Sequence, residues 1–422
     1  MRALKELEGF LQAHASLSAG ESIPVVAQDT LARSERTIEC SAQNNAVVAL
    51  SVRACALTAL PDALGQLTHL QQLDMAGNQL TALPESLGSL LWLARIYLDE
   101  NQLTALAELP GAWRHLEELH VDRNQLAALP ESIGQLTRLK TLNVYGNRLV
   151  AVPASLSQLT ALKEISLGSN QLTNLPESFW QLTNLRVVNL AENQLVSLSE
   201  RIGKLTWLQM LDVGHNALTA LPESLGELRR LAFLYLSNNH LRALPSSLLE
   251  HLSNLRYLNV TDNHLTALPE TMGNLTNLIE LRAYHNALTA LPESLGKLKR
   301  LQELHVMHNW LESLPASLGN LAHLKELHLS DNRLAALPES LSKLSSLTHL
   351  DVRNNRLVAL PESLGKLENL THLNVRANGL VALPASIAEL PKLEKLDLRW
   401  NKVSPLPEWL QRLEQRGCTV YT

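Results

Sequence analysis

Aromatic residues make up only 4% of the 422-residue chain, and cysteine occurs three times. There is also no apolar run of about 18 residues, which excludes a transmembrane helix, so no membrane partner is expected. Cys40, Cys55 and Cys418 cannot supply a disulfide framework, and so few thiols fit a reducing compartment. The opening segment MRALKELEGFLQAHASL carries Lys5, Glu6 and Glu8 where a cleaved signal peptide needs an apolar stretch, so the expected location is cytoplasmic. Charge of neither sign dominates. Against 41 Asp+Glu stand 36 Lys+Arg, a net of −5, which disfavours nucleic acid as a partner. G-x-x-x-x-G-K-[ST], G-x-S-x-G, H-E-x-x-H and C-x-x-C are all missing, so the chain reads as no enzyme and is expected to need no cofactor and no metal.

Leucine is what the chain has in excess, at 97 of 422 residues, and it is periodic. The segment LQQLDMAGNQLTALPESLGSL from Leu70 returns as LKTLNVYGNRLVAVPASLSQL from Leu139 and LQELHVMHNWLESLPASLGNL from Leu301. Asparagine marks each unit at 23-residue intervals from Asn78 to Asn239 and, after one 24-residue step, from Asn263 to Asn401; Cys55 stands one interval before the first. In LDM the apolar residues alternate, as a short strand with one buried face requires. Pro and Gly in LPESLG turn the chain back. The asparagine side chain can satisfy backbone groups at the bend after each strand. One unit cannot bury its own leucines, but a stack can.

The pattern LxxLxLxxNxL resembles the leucine-rich repeat family over roughly residues 47–422, and the 23-residue LPxxLGxL unit is similar to that family's bacterial and plant Ras-group members. The resemblance implies an α/β solenoid, a curved stack with a parallel sheet on the concave face and turns or short helices on the convex face. It also implies that a partner protein docks on the concave sheet. We expect an N-terminal cap over residues 1–46, about 16 repeats over 47–405 in one continuous stack, and a C-terminal cap over 406–422. Leu4, Leu7 and Leu11 lie on one face of a capping helix in residues 3–17, and Ile38 and Cys40 alternate like a short strand. PEWLQRLEQR reads as a helix stopped by Gly417, with CTVYT as a closing strand. Two units are irregular: Trp113 takes a leucine position while the proline moves to Pro110, and Ser199 replaces a proline. The 24-residue step near Leu249 should appear as a bulge that leaves the strands in register. The three cysteines are expected to be buried, and the glutamates of the LPES turns to be solvated.

The outward strand positions carry the functional signal. They hold Tyr97, Tyr145, Tyr235, Tyr257 and Tyr284, together with Phe233, Trp310, Trp400 and ten of the 15 histidines. Strand propensity explains some of the tyrosine, but aromatic clustering is typical of recognition surfaces. The expected partner-binding set is Tyr235, Tyr257, Arg282, Tyr284, His285, His305, His308, Trp310, His328 and Arg353. Before Phe233 these positions are acidic, and after it they are neutral to positive with eight histidines. An acidic partner that binds more tightly as pH falls would fit. His305 with His328, and His285 with His308, share columns on adjacent strands, with Asp262 and Asp331 beside the second pair. Zinc accepts such ligands, but side chains on a sheet fan apart, so no metal is assigned. The chain therefore reads as a monomeric, non-catalytic protein-binding scaffold. The alternatives are a bacterial effector that enters a host cell without a cleaved signal peptide and modulates a host signalling protein, and a ligand- or metal-sensing module using the histidines.

Overall fold

The computed structural model describes residues 2–14, 17–18, 21–27, 37–106, 108 and 112–422. The chain divides into two compact units, residues 1–196 and 197–422.

In the first unit, helix α1 (Arg2–His14) buries Leu7 and Leu11 and packs against the turn Asp62–Gln66. Strand β1 (Thr37–Gln43) runs antiparallel to β2 (Ala46–Arg53). The two-residue turn between them, Asn44–Asn45, has positive φ at both positions, a conformation asparagine tolerates and tight hairpins need. From β2 onward the pairing is parallel and in register: β3 (Gln72–Asp74), β4 (Arg95–Tyr97), β5 (Glu118–His120), β6 (Thr141–Asn143), β7 (Glu164–Ser166) and β8 (Val187–Asn189). The shifted proline at Pro110 falls outside the described residues. Trp113 is buried in a leucine position, and its indole N–H donates to Leu87 O at 3.1 Å.

The second unit repeats the plan through β9 (Met210–Asp212), β10 (Phe233–Tyr235), β11 (Tyr257–Asn259), β12 (Glu280–Arg282) and β13 (Glu303–His305). It continues through β14 (Glu326–His328), β15 (His349–Asp351), β16 (His372–Asn374), β17 (Lys395–Asp397) and β18 (Thr419–Tyr421). The 24-residue step is absorbed by a short helix, α2 (Ser246–Leu249), while Phe233 still pairs with Tyr257 and Leu234 with Leu258. The sheet does not register the insertion. Helix α3 (Trp409–Gln415) buries Leu410 and Leu413 and ends before Gly417, whose φ of +91° suits a residue without Cβ.

Between strands, most repeats make a five-residue 3-10 turn opened by proline, as in Glu131–Gln135 after Pro130. Where Ser199 replaces the proline, its hydroxyl accepts from Arg201 N at 3.2 Å and caps the turn instead. The glycine of LPxxLG is there for space. A Cβ on Gly134 or Gly296 would come within 2.5 Å of the backbone oxygen of Ser155 or Ser317 in the next turn.

Each asparagine rung ties two repeats together. Asn309 Nδ2 donates to Ala283 O (2.9 Å) in the preceding repeat and to Val306 O (3.2 Å) and Met307 O (3.0 Å) in its own. Its Oδ1 accepts from Leu288 N at 3.0 Å. A buried leucine contributes about 2 kcal/mol, and ordering one residue costs about 1–2 kcal/mol. A lone 23-residue unit is therefore short of stability, and the leucines become worth burying only between neighbours.

Candidate functional site

Because inward residues alternate with outward ones, the leucines of each strand fix which side chains stand on the open sheet face. Nine of the ten expected residues lie on β10–β14 and the bends that follow, in four contact groups. The rings of Tyr235 and Tyr257 lie 4.9 Å apart, with the Arg282 guanidinium 5.9 Å from the Tyr257 ring. Tyr284 meets His285 edge-on at 5.3 Å, and His285 lies 4.4 Å from His308. His305 stacks on His328 at 4.6 Å, and the Trp310 ring is 49% exposed beneath Arg333 at 5.0 Å. Arg353 stands apart, paired with Asp351 at 3.5 Å.

Carboxylates already stand beside the basic side chains of this set, and a histidine matches its carboxylate only when protonated. Arg282 pairs with Glu280 at 2.5 Å, His285 with Asp262 at 2.8 Å, His308 with Asp331 at 3.6 Å, His305 with Glu303 at 3.1 Å and His328 with Glu326 at 3.0 Å. Burial holds His305 and His372 below the ordinary histidine range, and the neighbouring His328 and His349, respectively, add to this. The expectation of a protonatable, anion-seeking histidine patch is corrected at these two positions. A second correction concerns why histidine is abundant. His215, His285 and His308 sit just before an asparagine rung with φ of 54°, 51° and 49°, a left-handed position that histidine tolerates better than most residues. Three of the ten are accounted for by the backbone bend.

In the first unit Tyr97, expected on the open face, is buried, as is Asp74. Tyr97 packs against His120 at 4.9 Å and donates to Glu118 at 2.8 Å. Asp74 accepts from Arg53 at 3.0 Å and from Ala76 N at 3.1 Å. Tyr145 keeps some exposure, and it donates to Glu192 at 3.1 Å. A feature the sequence reading missed is the column Asp99–Asp122. Asp99 accepts from Asp122 N at 3.0 Å and Asp122 from Tyr145 N at 2.9 Å, while Asn143 also donates to Asp122. Burial, and then the neighbouring Asp99, push Asp122 up to about 7; burial raises Asp99 as well. The signal was the recurrence of aspartate 23 residues apart at one repeat position.

Among the described residues, two groups bring three potential metal-ligand atoms within 4.8 Å of one another: Asp99, His120 and Asp122, and Glu280, Glu303 and His305. Neither contains the histidine pairs that the spacing suggested, and in the second group Arg282 already occupies Glu280. The three cysteines are buried, and burial pushes the Cys40 and Cys418 thiols up, which makes them poor nucleophiles.

Comparison with known proteins places this geometry. The family model described as leucine-rich repeat region matches residues 169–252, 242–330 and 315–416; further leucine-rich repeat models match 114–172, 137–195 and 69–90. A leucine-rich repeat protein of Leptospira interrogans is 36% identical, with a TM-score of 0.83, over 88% of this chain and 95% of that one. The plant peptide hormone receptor RGFR1, solved in complex with RGF2, is 28% identical with a TM-score of 0.73; the match covers 84% of this chain but only 59% of the receptor. The Arabidopsis receptor kinase HAESA, solved with the peptide hormone IDA and the co-receptor SERK1, is 27% identical with a TM-score of 0.67 over 91% of this chain and 75% of that one. No curated protein sequence matches at a significant level. With family matches over most of its length, and an asparagine rung joining successive repeats, the chain belongs to the leucine-rich repeat family.

Proposed function

We propose that the chain is a non-catalytic scaffold that binds another protein or peptide on the sheet face of residues 197–422, centred on Tyr257. The observation that carries this reading is the set Tyr235, Tyr257, Tyr284 and Trp310, partly exposed on four successive repeats, with Arg282 set against the Tyr257 ring. Stiff aromatic side chains lose little rotamer entropy on binding, and tyrosine, tryptophan and arginine dominate measured hot spots. Because Glu280 already neutralises Arg282, aromatic contact supplies the affinity at this patch. The peptide complexes of the two plant receptors support a protein or peptide as the ligand class. Three buried cysteines that stand outside any disulfide suit a reducing compartment. A second reading, a bacterial effector acting on a host signalling protein, draws on the likeness to the Leptospira protein and uses the same face.

The test is affinity capture with the full chain, followed by binding titration of the captured protein. Tyr257→Ala with Tyr284→Ala should weaken binding by more than tenfold, since hot-spot truncations cost about 2 kcal/mol or more each. Tyr145→Ala in the first unit should leave it unchanged. Loss with Tyr145→Ala alone would move the site to residues 1–196. Whether the captured protein is bacterial or from a host separates the two readings.

A further inference from the structure

Near the C-terminal end of the same face, one short motif recurs on three successive strands. Asp351-Val352-Arg353, Asn374-Val375-Arg376 and Asp397-Leu398-Arg399 occupy equivalent places on β15, β16 and β17, with Asp351 opposite Asn374 and Asn374 opposite Asp397. The local fold is the same each time. The residue at the first position accepts the arginine's own backbone N–H, at 3.1 Å in the first copy and 3.2 Å in the other two. In the outer copies it also neutralises the arginine. Arg353 lies 3.5 Å from Asp351, and Arg399 binds both oxygens of Asp397, at 3.0 and 2.5 Å. In the middle copy asparagine keeps the backbone contact but offers no charge.

Arg376 is left incomplete as a result. Its Nε is buried without a hydrogen-bond partner; Asp397 is near enough to feel its charge, but among the described residues no carboxylate lies within 4.0 Å of its guanidinium. An unsatisfied cationic donor is costly and unusual. The guanidinium is not loose, either. It lies 3.7 Å from the ring of Trp400, which is 69% exposed, so the cation is held flat with its donors in one plane. Arg356, Lys395 and Lys402 are exposed nearby, and no carboxylate pairs with them among the described residues. Asparagine at 374 does spare the column three adjacent carboxylates, but that relief alone would leave Arg376 unpaired.

We propose that Arg376, seated on Trp400, is the recognition point for a carboxylate side chain in an acidic segment of the partner protein. The partner's carboxylate takes the place that Asp351 and Asp397 fill on the flanking strands, in a forked pair with the guanidinium. The flanking cations draw in neighbouring acidic residues of the same segment. This rests on the reading of the sheet face as the binding face and adds a polar anchor to the aromatic one.

The test uses the full chain and a fluorescein-labelled octaglutamate peptide, followed by anisotropy at low salt. The wild type should bind, and more weakly as salt is added. Arg376→Gln removes the fork, and Asn374→Asp supplies the missing carboxylate from within. Both should weaken binding by about tenfold, in keeping with loss of a charge-assisted pair. Asn374→Asp is the sharper arm, because it deletes no cationic side chain and keeps the backbone acceptor. Arg148→Gln, an exposed arginine of the first unit, should change binding little. No binding by the wild type, or variants at 374 and 376 no weaker than Arg148→Gln, would overturn the proposal. Tyr257→Ala with Tyr284→Ala should leave octaglutamate binding intact, so failure of the aromatic site and failure of this one read out separately.

Discussion

Replacing Asn309 by alanine tests the principle that joins the repeats. The side chain is 3% exposed and sits between two strand ends. Removing it does not orphan every partner equally. Ala283 O also accepts from Asn286 at 3.3 Å, and Val306 O from Asn332 at 2.9 Å, so both keep a donor. Leu288 N has only Asn309 Oδ1, at 3.0 Å, and loses its acceptor in a site closed to water. A buried backbone donor left unpaired costs about 1–3 kcal/mol. For a unit of this size that corresponds to a fall in melting temperature of about 2–4 °C per kcal/mol. Asn309→Asp sharpens the argument, since a carboxylate has the same shape and still accepts from Leu288 N but can donate to none of the three carbonyls. It should destabilise more than alanine does. Urea unfolding followed by circular dichroism would rank them as wild type, then Asn309→Ala, then Asn309→Asp. Gln194→Ala, at an exposed position, should stay within about 0.5 kcal/mol of wild type. An alanine variant as stable as wild type, or an aspartate variant more stable than the alanine one, would refute the rung's role.

Two further outcomes concern protons. Asp122 titrates near 7 in the folded chain and near 4 when unfolded, so between those values the folded state holds the extra proton and stability falls as pH rises. Asp122→Asn has no proton to lose and keeps an acceptor for Tyr145 N; its urea midpoint should gain on wild type between pH 5 and 8, and parallel pH profiles would contradict this. His305 should titrate below about 6.5 by imidazole NMR. A midpoint above 7 for His305 would show that Glu303 outweighs burial.

What the sequence made legible was whatever repeats. The 23-residue spacing of asparagine carries strand register, bend and rung at once, so the parallel pairing of β2–β8 and of β9–β18 could be read without coordinates. Deviations were legible where one residue does one job, as with Ser199 capping a turn or Trp113 filling a leucine site. The antiparallel start was not read, although Asn44–Asn45 held the signal of a tight hairpin. Tyr97 was misplaced for a different reason. Its repeat position matches that of Tyr235, and nothing local separates them. What buries Tyr97 is the pair Glu118 and His120 on the next strand, whereas Tyr235 has Tyr257 as its neighbour. Burial on a sheet face is decided by the residues 21–23 positions away, which a column count by residue type does not weigh.

The same coupling governs the charge of the binding face. Summed along the outward columns, residues after Phe233 are neutral to positive, which suggests a broad field for an acidic partner. Resolved into pairs, that field vanishes over β11–β14, where Arg282 and four histidines have carboxylates at 2.5–3.6 Å: Glu280 neutralises Arg282, and a neutral histidine adds no positive charge. Exposed pairs of this kind contribute little to stability, and they leave no positive field there for an acidic partner to meet. What survives is local: aromatic surface around Tyr257 and unmatched positive charge around Arg376. A partner that engages both must present an apolar contact followed, three to five repeats along, by an acidic residue. At about 4.8 Å between strands, that separation is on the order of 15–25 Å. An extended peptide rises about 3.3 Å per residue, so some five to eight residues would bridge the two anchors. A partner segment much shorter than that could use one anchor only, and would then be insensitive to substitution at the other.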